Sequence, residues 1–137
     1  MSCSDEIRNE KEKSRIVELF KQTERMASVG GWEVDLISGE IYWSDQVYRI
    51  HDVPVGEKID LESAIDFYDG EAKAIIRTAV ENAAKTGQPY DLELPFITAK
   101  GRRIFVRACG EGVFENGKVV RLIGAFQDIS ENKRTEE

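Results

Sequence analysis

The sequence predicts an α+β domain: a charged helix, a two-stranded hairpin, two or three helices and then three strands. Three observations carry that prediction. Apolar residues recur at helical spacing in residues 16–27 and again in residues 72–83. They alternate at period two in Trp32, Val34 and Leu36, in Leu92, Leu94 and Phe96, and in Ile104, Val106 and Ala108. Turn residues separate the alternating runs, most clearly Asn116-Gly117. With 137 residues the chain has room for one core and an appendage, not two cores.

Residues 1–29 differ from the rest. Six acidic and six basic residues fall between Met1 and Arg25, with no Gly and no Pro. The acid-first pairs Asp5–Arg8, Glu10–Lys13, Glu12–Arg15 and Glu18–Lys21 support an exposed helix. Ile16, Leu19, Phe20, Thr23, Met26 and Ala27 form a narrow stripe on it. Such a helix needs a partner, either its own sheet or a second copy. Gly30-Gly31 is the predicted stop.

Trp32, Val34 and Leu36 then read as a half-buried strand, Ser38-Gly39-Glu40 as a turn, and Ile41-Tyr42-Trp43 as the return strand. Ser44 is the predicted N-cap of a short helix, Asp45 to His51, ended by the Val53-Pro54-Val55-Gly56 segment. A second short helix spans roughly Leu61 to Tyr68. Asp69 is the predicted cap of a longer helix whose stripe is Ala72, Ile75, Ile76, Ala79, Val80 and Ala83, with Gly87 as its stop. The closing strands are predicted around Tyr90 to Phe96, Ile104 to Gly110 and Val119 to Gln127, most simply joined as two hairpins of an antiparallel sheet.

Composition excludes several classes. The net charge of −7 and the absence of a basic stripe argue against nucleic-acid binding, since Lys100–Arg103 only flanks a turn. No apolar run approaches the roughly 18 residues of a membrane span. The N-terminus lacks the pattern of a secretory signal, and Cys3 and Cys109 lack metal-ligand spacing, so a cytoplasmic protein with reduced thiols is expected.

Taken together, Gly31-Trp32-Glu33-Val34-Asp35-Leu36 with Ser38-Gly39, then Tyr42-Trp43-Ser44-Asp45 with Tyr48-Arg49-Ile50, then residues 117–124 and Asp128-Ile129-Ser130-Glu131-Asn132-Lys133, make the chain similar to PAS domains over residues 27–132. It looks most like those of bacterial sensor histidine kinases and diguanylate cyclases. Two stretches depart from that pattern: Phe67-Tyr68-Asp69-Gly70-Glu71, where relatives often carry His-Pro-Asp-Asp, and Lys100-Gly101 in place of an Asp-Gly turn. The resemblance implies a five-stranded antiparallel sheet with the first hairpin beside the last strand, and helices on one face enclosing a small pocket. It divides the chain into an N-terminal helix (1–29), the PAS domain (30–130) and the start of a signalling linker (131–137). The pocket candidates are Trp43, Tyr68, Ile76, Leu94, Phe96, Val106, Ala108, Leu122, Gly124 and Phe126. Gly124 inside a strand marks space for a ligand or a bulky neighbour, and Gly110, Gly124 and Ala108 are expected to leave room on the inner face.

Cofactor chemistry finds little support in the residues. Photoreceptor flavin binding needs a cysteine on the helical side, whereas Cys109 lies on a strand out of phase with Val106 and Ala108. Haem binding in relatives uses a histidine on the long helix. His51, the sole histidine, sits at the end of the short one, where a surface or helix-terminal role is expected. Asp66, Asp69 and Glu71 read as a solvated acidic patch rather than a metal site. With one histidine and no nucleophile motif, no enzymatic activity is expected of the chain itself.

Two readings follow. In the first, an unidentified small molecule enters the pocket and the change is relayed through Asp128, Ile129 and Ser130 to an output domain of the parent protein. In the second, the pocket is filled by the domain's own side chains, and the chain is a dimerising spacer. A pocket closed by Trp43 and Phe126 favours the second. Both readings expect a homodimer built on Ile16, Leu19, Phe20, Thr23 and Met26, and the charged ends are those expected of a piece of a longer protein.

Overall fold

The computed structural model describes residues 3–131, with side chains from residue 13 onward. The pairs Asp5–Arg8, Glu10–Lys13 and Glu12–Arg15, the Cys3 thiol and the linker residues 132–137 lie outside the described residues. Helix α1 spans Cys3–Ala27 and leads into β1 (Val29–Asp35) and β2 (Ile41–Trp43). Helices α2 (Asp45–His51), α3 (Leu61–Asp66) and α4 (Glu71–Thr86) follow, then β3 (Tyr90–Ile97), β4 (Arg103–Glu115) and β5 (Lys118–Asp128). The strands form one antiparallel sheet in the order β2-β1-β5-β4-β3, so the first hairpin lies against the last strand.

The period-two pattern sets which face is buried. Ile104, Val106, Ala108 and Gly110 are buried while Phe105, Arg107 and Glu111 are exposed. Leu94, Phe96, Leu122 and Phe126 join them, and α2, α3 and α4 cover this face with Val47, Ile50, Ile65, Ala72, Ile76 and Val80. Ion pairs such as Arg107–Asp91 at 2.5 Å and Arg121–Glu33 at 2.6 Å occupy the other face. The hairpin at Asn116-Gly117 has positive φ at both residues, 52° and 79°, as a primed turn requires.

Several helix ends differ from the sequence expectation. The chain leaves α1 through Ser28 at φ 52°, and Gly30 and Gly31 already belong to β1. Gly30 is required there for closeness, because a β-carbon would come within 2.5 Å of Val47 Cγ2. Ser44 occupies the N-cap position of α2, but its hydroxyl makes no cap; it accepts from the Gly31 N–H at 3.2 Å. Asp69 does not cap α4 with its side chain either. Gly70 stands at that N-cap with φ 56°, while the Asp69 carboxylate faces Arg103 at 3.7 Å. Asp60 supplies the side-chain cap the sequence reading missed, accepting from Ser63 N–H at 2.8 Å at the start of α3. Gly87 does end α4, with φ 76° and its N–H bonded to Ala83 O. Ile75, read as part of the buried stripe of α4, is exposed.

Helix α1 is held to the domain at its C-terminal end. Glu24 is 6% exposed and accepts from the Gly31 N–H at 3.1 Å. Ile16, Val17, Leu19, Phe20 and Met26 remain exposed, Met26 at 87%. The domain's own sheet does not bury the stripe.

Candidate functional site

The helices and the inner face of the sheet line a partly open cavity of about 70 Å³. Trp32, Val34 and Trp43 of the first hairpin line one side of it, and Val47 and His51 of α2 another. Of the residues expected there, Trp43, Tyr68, Ile76, Ala108, Leu122 and Phe126 line the cavity. Leu94, Phe96 and Val106 are buried in the adjoining core and do not line it.

Gly124 and Gly110 leave no room for a ligand. A β-carbon on Gly124 would come within 2.5 Å of the Trp32 ring, and one on Gly110 within 2.7 Å of the Tyr90 ring. Each glycine is the recess for an aromatic side chain that the sheet presses against it. The bulky-neighbour alternative for Gly124 is the one realised.

The larger correction concerns His51. It is 3% exposed, at the centre of the aromatic core and not on the surface. Its ring stacks on Trp43, with centroids 4.1 Å apart, and on Phe126 at 4.7 Å. It meets Phe67 and Phe96 edge-on at 5.0 and 4.9 Å. Nδ1 lies 2.7 Å from the Val47 carbonyl oxygen, which can only accept, so Nδ1 carries the proton. Burial pulls the imidazole pKa from 6.5 down to about 4, against the opposing pulls of the Val47 carbonyl and the Asp52 charge. His51 is therefore neutral at pH 7, with Nε2 free to accept. The sequence signal was present. Val47, Ile50 and His51 stand at i, i+3 and i+4 on the buried face of α2.

The next residue ties this core to the sheet. Asp52 has φ 60° and receives two hydrogen bonds from Arg102, at 2.9 and 3.1 Å. Arg102 holds the Asp52 carboxyl below the ordinary aspartate range. The His51 carbonyl accepts from Ala99 N–H at 2.9 Å. The end of α2 is thus fastened to the β3–β4 turn.

At the far end of β5, the Asp128 carboxylate accepts from Ser130 N–H at 3.0 Å. Ile129 is buried, and its N–H donates to Phe105 O at 2.9 Å. Ser130 follows at the first helical position, and its hydroxyl accepts from Phe105 N–H at 3.1 Å. The Asp128 N–H donates to Ser28 O at 3.1 Å, and Gln127 Nε2 donates to Ala27 O at 3.3 Å. The chain's exit and the end of α1 are therefore adjacent.

A family model described as the PAS fold matches residues 40–126, well over half of the chain. The chain belongs to the PAS family. A blue-light-activated histidine kinase of Brucella anthropi is 25% identical over 125 residues, 91% of this chain and 25% of the kinase. The PAS chain thus spans a quarter of the length of that relative. A sensory box histidine kinase/response regulator of Burkholderia thailandensis superposes with a TM-score of 0.69 at 22% identity, covering 85% of this chain and 88% of the other. The N-terminal domain of a diguanylate cyclase with a PAS/PAC sensor from Marinobacter aquaeolei also gives 0.69, at 18% identity, covering 77% and 98%. These two likenesses concern the fold. It is the one the resemblance implied: a five-stranded sheet with helices on one face, preceded by α1.

The remaining candidates resolve as follows. Cys109 stands on the sheet face opposite the cavity, its sulfur 3.8 Å from Asp91 Oδ1. Asp66 and Asp69 face Lys73 and Arg103 rather than each other. Among the described residues, no helix is long and apolar enough to cross a membrane.

Proposed function

We propose that this PAS domain is the cytoplasmic sensory and relay module of a longer signalling protein. Residues 1–29 serve as the dimerising helix, residues 30–130 as the sensor, and residues 131–137 lead to a histidine kinase or diguanylate cyclase output. One observation carries this reading. Strand β5 bears Phe126 within the aromatic core and, two residues on, the Asp128–Ser130 exit, which is bonded to both Ser28 and Phe105. A shift of the core ring then moves β5, the end of α1 and the outgoing chain together.

The test fuses a kinase output after Glu137 and compares the parent, Phe126→Ala, and Phe126→Ala combined with Asp128→Ala. Phe126→Ala is expected to shift the output, and loss of the Asp128 carboxylate to cancel that shift at a stability cost of about 1 kcal/mol. An output unmoved by Phe126→Ala in folded protein overturns the relay.

The stacking of Trp43, His51 and Phe126 favours a second reading, in which the closed core makes the domain a dimerising spacer. The two differ in one measurement. Mass spectrometry of gently purified protein shows a bound metabolite only under the first. Light input of the kind named for the Brucella relative has no support in the placement of Cys109, whose thiol is across the sheet from the cavity.

A further inference from the structure

We infer that the cavity binds a small, uncharged, polar molecule below the size of benzene, which accepts a hydrogen bond from the Tyr68 hydroxyl and donates one to His51 Nε2. The inference rests on the sensor reading above and names its input.

Size comes first. An apolar cavity of about 150 Å³ accommodates benzene, and this one has about 70 Å³. Scaled from the six heavy atoms of benzene, a compact molecule of about three heavy atoms is the appropriate size. Charge comes next. No Asp, Glu, Lys or Arg lines the cavity, so an ion entering it would lose its hydration with no counter-charge in return.

Polar chemistry then fixes the orientation. Tyr68 is 9% exposed, and among the described residues no other group hydrogen-bonds its hydroxyl. His51 uses Nδ1 on Val47, which leaves Nε2 as an acceptor with no such partner. Among the described residues no fully enclosed side-chain nitrogen or oxygen lacks a partner, so both atoms border open space, and both residues line the cavity. Water alone fits this site poorly. A buried water makes about three hydrogen bonds, and most of the lining is Val, Ile, Leu, Ala and aromatic carbon. A small polar molecule of that size pairs with the two polar atoms and fills more of the apolar remainder.

Formamide is a suitable probe, because it is of about the right size, is uncharged at neutral pH and carries one donor group and one acceptor. Titrating the full chain with formamide, followed by amide NMR shifts and melting temperature, is expected to give saturable binding with shifts at Val47, His51 and Tyr68. Formate at pH 7, of the same size but ionised, is expected not to bind. Tyr68→Phe keeps the ring and is expected to weaken formamide about tenfold, as loss of one hydrogen bond implies. His51→Phe should do the same, and the melting temperature of each variant checks that it is folded. No saturable shift with formamide, equal binding of formate, or unchanged affinity in a folded Tyr68→Phe overturns the inference. Failure of the sensor reading looks different: formamide binds with these preferences, and the kinase fusion does not respond to it.

Discussion

His51 shows how one residue can be misread from sequence and how its environment can be tested. A lone histidine at the end of a short helix carries no motif, and only its i, i+4 relation to Val47 hints at burial. What decides its state is the closure of Trp43 and Phe126 over the ring, which long-range strand pairing produces and a local pattern does not show. The consequence is a pH dependence with a definite sign. The folded pKa of about 4 lies below the unfolded 6.5, so below pH 6.5 the unfolded chain binds the proton and the native chain does not. Stability is then lost as pH falls, by about 1.5 kcal/mol between pH 6.5 and 5, a range above most carboxylate titrations. Urea midpoints measured across that interval should fall for the parent and stay nearly level for His51→Phe. An equal slope in the two proteins would place the titration elsewhere. Gly124 makes a complementary case. The sequence showed that a strand glycine needs a reason, and the Trp32 ring is that reason. Gly124→Ala is expected to destabilise the domain by about 2 kcal/mol or more, read by chemical denaturation, because the added methyl meets the ring and the β4 backbone.

At the scale of elements, strands and helices were legible because a single periodicity marks each one, and the boundaries of most fall within a residue or two of expectation. Helix termini were less legible. Ser44 and Asp69 have the right chemistry for caps, yet tertiary partners, the Gly31 amide and Arg103, engage their side chains instead. Helix α1 was legible as an amphipathic helix needing a partner, whereas its buried anchor Glu24 was not, since a glutamate among eleven other charges reads as solvated. The spacing of Ile16, Leu19, Thr23 and Met26 is the 3-4-3 step of a coiled-coil seam, and it faces solvent in the single chain. Burying such a seam against a second copy removes apolar surface at about 25 cal/mol per Å², which the isolated chain leaves in water. Light scattering is therefore expected to report a dimer for the full chain and a monomer once residues 1–25 are deleted. An unchanged mass after deletion would assign the contact to the sheet.

At the scale of the whole molecule, the fold was readable but the volume of its interior was not. Ten residues were expected to surround a ligand pocket, and the structure distributes them between a small cavity and a solid core. Small residues in a sequence are silent about which neighbour occupies the space they free, and here Trp32 and Tyr90 occupy it. The remaining 70 Å³ is well below the roughly 300 Å³ at which drug-sized ligand pockets begin. Admitting a flavin or a haem would require separating His51 from Trp43 and Phe126, at about 0.5–1.5 kcal/mol for each aromatic pair. What keeps Nε2 from a haem iron is this aromatic stack, not the Nδ1 bond to Val47, and the cavity offers no cysteine to a flavin ring. Protein purified under mild conditions is therefore expected to lack absorbance bands between about 350 and 600 nm, where flavins and haems absorb. Reconstitution with excess flavin mononucleotide or haemin should leave no stoichiometric band after gel filtration. A retained Soret band that disappears in His51→Phe would show that the stack opens and that His51 is its metal ligand.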